Sequence, residues 1–482
     1  MFSAASFKIL KHWRQYSQFG VTVKNIDVVK PDIARPNTIQ SEHRRLPLSN
    51  LDLLLPPVNP SSVFCYKKPL DEAYTFERMV EILKKSLSKT LASFYALAGE
   101  MVQNKDGEPE LLCNNRGVDF AEAYADVDLI DLNFYSPDEC FRGKLVPGGK
   151  TGLLAVQVTE LKCGGVVVAF TVDHRLTDAY SANMFTLSWV ETAKGNNPLL
   201  IPSFGRSSLL SPRHPSRYDP RIGQLYLPIS SLPPPPPADL INDELEAISR
   251  VYYINADEIN QIKFLANKNN PENKRTNLEA FSGFLWKIIA SNNTYSNKIC
   301  RLGIVVDGRS RLGGEDEKSA KLMAAHYGNI LSVPFGEKKC EELNKKSLNW
   351  VANQIHEFLE GAVTKEHFNG LIDWVESHRP QPAMCKIYTT RVREEGPALV
   401  ISSGQRFPVA QMDFGWGSSV FCSYYFPWGG QCGYVVPMPS PKGNGDWVVY
   451  MHLLREQLDY IETCEASRHL FNPLTSDYLN LY

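Results

Sequence analysis

The stretch LLAVQVTELKCGGVVVAFTVDHRLTDAYSANMFTLSW, residues 153–189, decides the fold class. Leu153 to Val158 and Val166 to Val172 are apolar, β-branched runs joined across Gly164-Gly165, the pattern of two strands and a turn. The second run ends at Asp173-His174, and a helix is expected to begin near Asp178 and to reach about Trp189. His174 therefore falls in a strand-to-helix loop, where a side chain can face a cleft rather than the core.

The same alternation extends outward on both sides. Strand-like residues begin at Gly20-Val21-Thr22-Val23-Lys24, and a turn-rich run surrounds Pro36. Met79, Leu83, Leu87, Leu91 and Phe94 recur at helical spacing, so Phe76 to Tyr95 is read as an amphipathic helix. Further on come a helix from about Leu278 to Ala290, a strand at Leu302 to Val306 and a helical stretch from Glu341 to about Phe358. Between these halves lies a segment with Pro202, Pro212, Pro215 and the run Pro233 to Pro237. Five consecutive prolines favour an extended spacer and exclude a helix or a central strand. Strands alternate with helices in both halves, which predicts an α/β protein with two lobes around mixed sheets. The expected division is a tail at 1–20, an N-terminal lobe at 21–200, a linker at 201–240 and a C-terminal lobe at 241–482. No short repeat argues for a solenoid.

At 482 residues the chain is longer than one hydrophobic core normally supports, in keeping with two lobes. Its 51 Lys and Arg nearly balance 53 Asp and Glu, a formal net charge of −2, so no global field recruits nucleic acid or an acidic membrane. The strongly apolar run Val166 to Phe170 is far short of the roughly 20 residues a membrane helix needs. Ten cysteines without a CxxC pair or zinc-ligand spacing read as reduced, mostly buried thiols. The first twenty residues are basic and lack acids, a composition shared by weak transit peptides and frayed tails. The tail reading is preferred, and a cytoplasmic protein is expected.

Several motifs fail on inspection. The run Gly143 to Thr151 resembles a phosphate loop but has five residues, not four, before the glycine that precedes Lys150, and no apolar strand leads into it. His356-Glu357 lacks the second histidine of a zinc protease, no GxGxxG follows a strand, and no GxSxG marks a serine hydrolase. Neither a metal nor a dinucleotide is indicated.

Two motifs remain. His174-Arg175-Leu176-Thr177-Asp178 sets an imidazole four positions before a carboxylate, a spacing that chance can produce but in a loop suited to a cleft. Asp413-Phe414-Gly415-Trp416-Gly417 places two glycines around a tryptophan, which reads as a tight turn with a large ring packed on it. Together, in this order and separation, HRLTD and DFGWG resemble the pair that marks the BAHD acyltransferases. The resemblance runs from about Val21 onward. It includes Leu46 to Pro57 (LPLSNLDLLLPP), Ala98-Gly99-Glu100, Val306 to Arg311 (VDGRSR) and Tyr327-Gly328-Asn329.

The resemblance implies a fold like chloramphenicol acetyltransferase, with two similar lobes, a crossover at the proline-rich segment and a solvent channel between the lobes. Coenzyme A would enter one mouth and the acceptor the other, with acyl-CoA as a co-substrate and no permanently bound cofactor. His174 would be the base that takes a proton from the acceptor hydroxyl as its oxygen attacks the thioester carbonyl, without a covalent enzyme intermediate. Asp178 could orient that imidazole as in a hydrolase triad. The resemblance implies instead a salt bridge, with Arg309 as its partner, and that structural role is expected here. One departure stands out: Ala179 occupies the position after the motif Asp where the family commonly has Gly.

The family places acceptor-pocket residues shortly before DFGWG. Where shikimate-using members read Thr-Ser-Trp, this chain has Ser402-Ser403-Gly404, and Gly404 is expected to open the pocket. The arginine that holds the acceptor carboxylate in those members falls on Thr389 by the same count, with Arg391 nearby as a possible substitute. DHRLTDAYSANMF and LPLSNLDLLLPPVNPSSVFCYKKP look most like the coniferyl alcohol acyltransferase branch. A monomer that acylates an uncharged phenylpropanoid alcohol is therefore expected. Kept beside it are a shikimate/quinate-type or amine N-acyltransferase of the same family, and an acyl-CoA-binding relative without turnover.

Overall fold

The computed structural model describes residues 19–32, 44–198, 200–205, 208–232, 246–268 and 274–479. Two mixed sheets organise them. The first has the spatial order Val21–Val29, Val118–Ala125, Leu154–Leu161, Val166–Val172, Ser61–Tyr66 and Phe421–Tyr425. Within it the pair Val118–Ala125 and Leu154–Leu161 is parallel and the others are antiparallel. Every residue of Val166–Val172 is buried, which explains why that strand reads as a continuous apolar run rather than as an alternation.

Helix Phe76–Ser93 buries the expected stripe of Met79, Leu83, Leu87 and Leu91, and starts at Thr75, whose side chain accepts the Arg78 N–H. It packs beside helix Ala179–Ala193. The Trp189 indole N–H reaches both the Leu83 carbonyl at 3.2 Å and the Ser86 hydroxyl at 3.0 Å, locking the two helices together.

The second sheet runs Phe335–Lys339, Ile299–Ile304, Ala398–Ile401, Gly433–Pro439, Trp447–Leu454, Ala247–Ile254 and Asn472–Pro473. Helices Ala256–Ala266, Asn277–Ala290 and Leu348–Glu360 share its core. Strand Phe421–Tyr425 follows the second half of the chain yet pairs with Ser61–Tyr66 in the first sheet, so the two halves interlock.

Two expectations need correction. The helical stretch Glu341 to Phe358 is broken into Cys340–Lys345 and Leu348–Glu360. Lys346 is extended there, and Ser347 starts a new helix by accepting the Trp350 N–H at 3.2 Å. The strand expected over Leu302 to Val306 ends at Ile304, and Val306–Asp307 pairs separately with Leu331–Ser332. The run Pro233 to Pro237, the turn at Pro36 and residues 1–18 lie outside the described residues. Among those described, no helix is long and apolar enough to cross a membrane, and the cysteines are free, most of them buried, with Cys163 exposed.

Candidate active site

The loop after Val172 is tied down residue by residue. Asp173 N–H donates to Leu153 O at 2.9 Å and His174 N–H to Val58 O at 3.0 Å, while Leu176 N–H closes back on Asp173 O at 3.1 Å. The Asp173 carboxylate is gripped by Arg175 through Nε at 3.0 Å and Nη2 at 2.7 Å, and by Lys150 Nζ at 3.3 Å. Lys150 belongs to the run set aside as a phosphate loop, and it serves here as an anchor for the loop that holds His174.

His174 lines a cavity of about 1070 Å³. Its ring is half-buried and stands edge-on to Phe426, centroids 6.0 Å apart. Nδ1 is shut off from solvent with no hydrogen-bond partner among the described residues, which leaves Nε2 as the nitrogen that can meet a ligand. Burial pushes the imidazole pKa below its ordinary value, against the opposing pull of the Asp178 and Asp173 charges and of the Asn329 side chain. The ring is therefore neutral near pH 7, the state a proton acceptor needs.

Asp178 is the residue just before helix Ala179–Ala193 and caps it, Oδ1 accepting Ser181 N–H at 2.8 Å. The same carboxylate pairs with Arg309, whose Nη1 lies 2.7 Å from Oδ2 and Nη2 3.2 Å from Oδ1. Arg309 also donates to Gly328 O at 2.7 Å and lies over the Tyr180 ring at 4.3 Å. Burial alone would raise the Asp178 pKa, but the Arg309 charge and its hydrogen bonds outweigh it and hold the carboxyl below its ordinary value. No hydrogen bond joins Asp178 to His174. The structure thus brings Asp178 and Arg309 together and leaves the imidazole outside that pair.

Asp413 Oδ1 accepts the N–H of Gly415 at 2.8 Å and of Gly417 at 3.0 Å, and both glycines take positive φ, 115° and 118°. Phe414 and Trp416 stack at 5.5 Å and pack on Trp189 and Tyr66 respectively. The motif stands apart from the cavity lining. It anchors the chain just before strand Phe421–Tyr425 crosses into the first sheet.

The acceptor-pocket residues fare unequally. Ser402 lines the cavity, its N–H on Val435 O at 2.9 Å. Thr389 does not: the short turn Lys386–Thr389 directs the neighbouring Tyr388 to the cavity, and the Thr389 hydroxyl closes on Lys386 O at 2.8 Å. Arg391 also stays out of the lining and lies 3.6 Å from Glu394. Gly404 lines the cavity through its backbone, but a Cβ there would meet Met438 Cγ at 2.6 Å and Pro437 O at 2.8 Å. Its N–H on Pro437 O at 3.0 Å presses it against strand Gly433–Pro439. A side chain at this position would enter that strand and not the cavity, so the expectation that Gly404 enlarges the pocket is corrected.

Asn329 was not singled out as a site residue, although Tyr327-Gly328-Asn329 was noted. It donates Nδ2 to the His174 carbonyl at 2.9 Å. No spacing rule connects positions so far apart in the chain.

The chain matches the Transferase family over residues 19–467. It is 27% identical to shikimate O-hydroxycinnamoyltransferase of Nicotiana tabacum across 92% of this chain and 98% of that protein. It is 28% identical to anthranilate N-benzoyltransferase protein 1 of Dianthus caryophyllus across 91% and 97%. Among solved structures, vinorine synthase superposes with a TM-score of 0.68 at 20% identity, over 94% of this chain and 99% of that one. F. graminearum TRI101 complexed with coenzyme A and T-2 mycotoxin gives 0.69 at 13%, over 89% and 99%. The fold is accordingly the two-lobed α/β fold of the chloramphenicol acetyltransferase type. The chain belongs to the Transferase family, the BAHD acyltransferases, and is an acyltransferase.

Proposed function

We propose that this enzyme transfers an acyl group from a coenzyme A thioester to a neutral phenylpropanoid alcohol such as coniferyl alcohol, with Nε2 of His174 as the general base. The observation that carries the reading is a half-buried imidazole lining an aromatic cavity, its pKa lowered by burial, while the adjacent carboxylate, Asp178, is committed to Arg309. Nε2 takes the hydroxyl proton as the acceptor oxygen bonds to the carbonyl carbon. The tetrahedral intermediate then breaks its C–S bond, and the imidazolium returns the proton to the departing thiolate.

The cavity chemistry supports both substrates. Lys274 and Arg311 are exposed at the lining and suit the phosphates of coenzyme A. The cavity that His174 lines has aromatic walls: Phe426, beside His174, packs on Tyr434 at 5.2 Å, and elsewhere Tyr388 packs on Trp428 at 5.3 Å and Phe407 on Tyr424 at 4.5 Å. An aromatic alcohol gains from such walls, whereas a carboxylate buried there without a partner costs several kcal/mol. The same reading takes residues 21–200 and 241–482 as lobes with 201–240 as the crossover. It makes the protein a cytoplasmic monomer with no nucleic-acid partner, in keeping with a net charge of −2.

Arg406 favours a second reading. It lines the cavity, is exposed, and forms no ion pair among the described residues, so it could hold a carboxylated acceptor of the shikimate or anthranilate kind named for two relatives. Competition between acceptors decides. Thiol release should show coniferyl alcohol ahead of shikimate, quinate and anthranilate by at least about a hundredfold in kcat/KM, roughly 2.7 kcal/mol of discrimination. Efficient acylation of a carboxylated acceptor that collapses in Arg406→Ala would overturn the neutral-alcohol assignment in favour of the second reading.

A further inference from the structure

The segment Ser49–Asp52, without a role so far, meets Tyr327–Asn329 behind His174. Asp52 is buried, and its carboxylate is fully engaged by four donors. Oδ2 accepts the Ser49 N–H at 3.0 Å and hydroxyl at 2.7 Å; Oδ1 accepts the Asn329 N–H at 2.7 Å and Nδ2 at 3.0 Å. The Asn329 amide nitrogen also donates to His174 O at 2.9 Å, so both its hydrogens are used. Turning the amide over would set its oxygen against two acceptors, the Asp52 carboxylate and the His174 carbonyl. Asp52 therefore fixes which end of the amide is which.

That orientation matters because of what is left over. Asn329 Oδ1 is buried without a partner, and so is His174 Nδ1. Two unpaired polar atoms in one buried place are costly apart and complementary together, one an acceptor and the other able to carry a proton. The Asn329 side chain also opposes the lowering of the imidazole pKa by burial, which places it within reach of the ring.

We infer that Asp52 is a positioning residue for the transfer: it holds the Asn329 amide so that Oδ1 accepts Nδ1–H of His174, which keeps the neutral ring in the tautomer with Nε2 free. This rests on His174 being the base. The tautomer of a histidine is set by the hydrogen bond that its other nitrogen makes. With the opposite tautomer Nε2 would carry the proton and the base would be lost. A carboxylate suits the task because it only accepts. An amide at position 52 would set a donating NH₂ against either Ser49 or Asn329, both of which donate.

The test is ¹⁵N NMR of the full chain labelled at histidine, with the His174 signal assigned by its loss in His174→Ala, together with kinetics of Asp52→Asn. Wild type at neutral pH should show His174 protonated at Nδ1. In Asp52→Asn that pattern should be lost or mixed. Its kcat should fall about 10- to 100-fold, as when other groups that orient a working imidazole are removed, with KM for both substrates little changed. A wild-type ring protonated at Nε2 overturns the inference even if Asp52→Asn fails to fold. So does an Asp52→Asn enzyme with wild-type kcat and tautomer. The reading beneath it fails differently, by substantial activity in His174→Ala.

Discussion

Asp178→Asn separates a structural carboxylate from a catalytic one. The substitution keeps size and removes the charge that faces Arg309, whose side chain is only 5% exposed. The carboxylate left to the guanidinium is Asp307, 3.3 Å away and 32% exposed, one oxygen of which already accepts the Arg309 N–H. Breaking a buried pair by removing one partner costs about 3 to 5 kcal/mol. At about 2.1 cal/mol/K per residue, the melting entropy of a chain this long is about 1 kcal/mol/K, so a cooperative transition should fall by roughly 3 to 5 °C. The pH dependence carries a sign. Because the folded pKa of Asp178 lies below its unfolded value, its stabilisation is complete above the unfolded pKa and is lost as pH falls through the folded one. The gap in Tm between wild type and variant should therefore be full at pH 7 and shrink below about pH 4. Calorimetry across pH, paired with thiol release well below Tm, tests this. An Asp178→Asn protein that melts like wild type yet is as inactive as His174→Ala would refute the structural assignment and restore the triad.

His174→Ala should lower kcat by about 10² to 10⁴ with the fold retained, and more than about a tenth of wild-type activity would exclude it as the base. Because burial depresses its pKa, the acid limb of kcat/KM for the free wild-type enzyme should lie below the ordinary histidine value of about 6.5, and a limb above that value would contradict the desolvated ring. Gly404→Ala should cost roughly 1 to 3 kcal/mol of stability, since the Pro437 carbonyl 2.8 Å from the new Cβ belongs to the backbone and yields little. Its acceptor preference should be unchanged, and a wild-type melt with altered selectivity would show that position 404 faces the pocket after all.

What the sequence made legible is local. Val166–Val172 was found to the residue because a strand buried on both faces reads as an unbroken apolar run, and the start of the next helix was marked by Asp178, a good capping residue. The break at Lys346 was missed because apolar spacing continues through it, and only the capping role of Ser347 reveals it. Counting along the chain located Ser402 and Gly404 but could not say where a Cβ at 404 would point, nor that the turn at Lys386–Thr389 would present Tyr388 in place of Thr389. Asp52 and Asn329 were invisible as a pair: 277 positions separate them, and each is a common polar residue whose meaning lies in its partner.

The contacts that close the fold are also those that place the base. Arg309, from the second half of the chain, reaches Asp178 in the first, while strand Phe421–Tyr425 pairs with Ser61–Tyr66. Asn329, again from the second half, holds the His174 carbonyl, and Asp52 from the first half holds Asn329. The links to Asp178 and Asp52 are buried and the one to the His174 carbonyl is partly so, so a shift between the halves would leave a charge or an amide without its partner at a cost of kilocalories per group. A purely apolar seam could slide with a smaller penalty, because dispersion has little directionality. The polar links thus restrict the seam to one registry, and His174, at the end of its strand, inherits that precision without needing a carboxylate of its own.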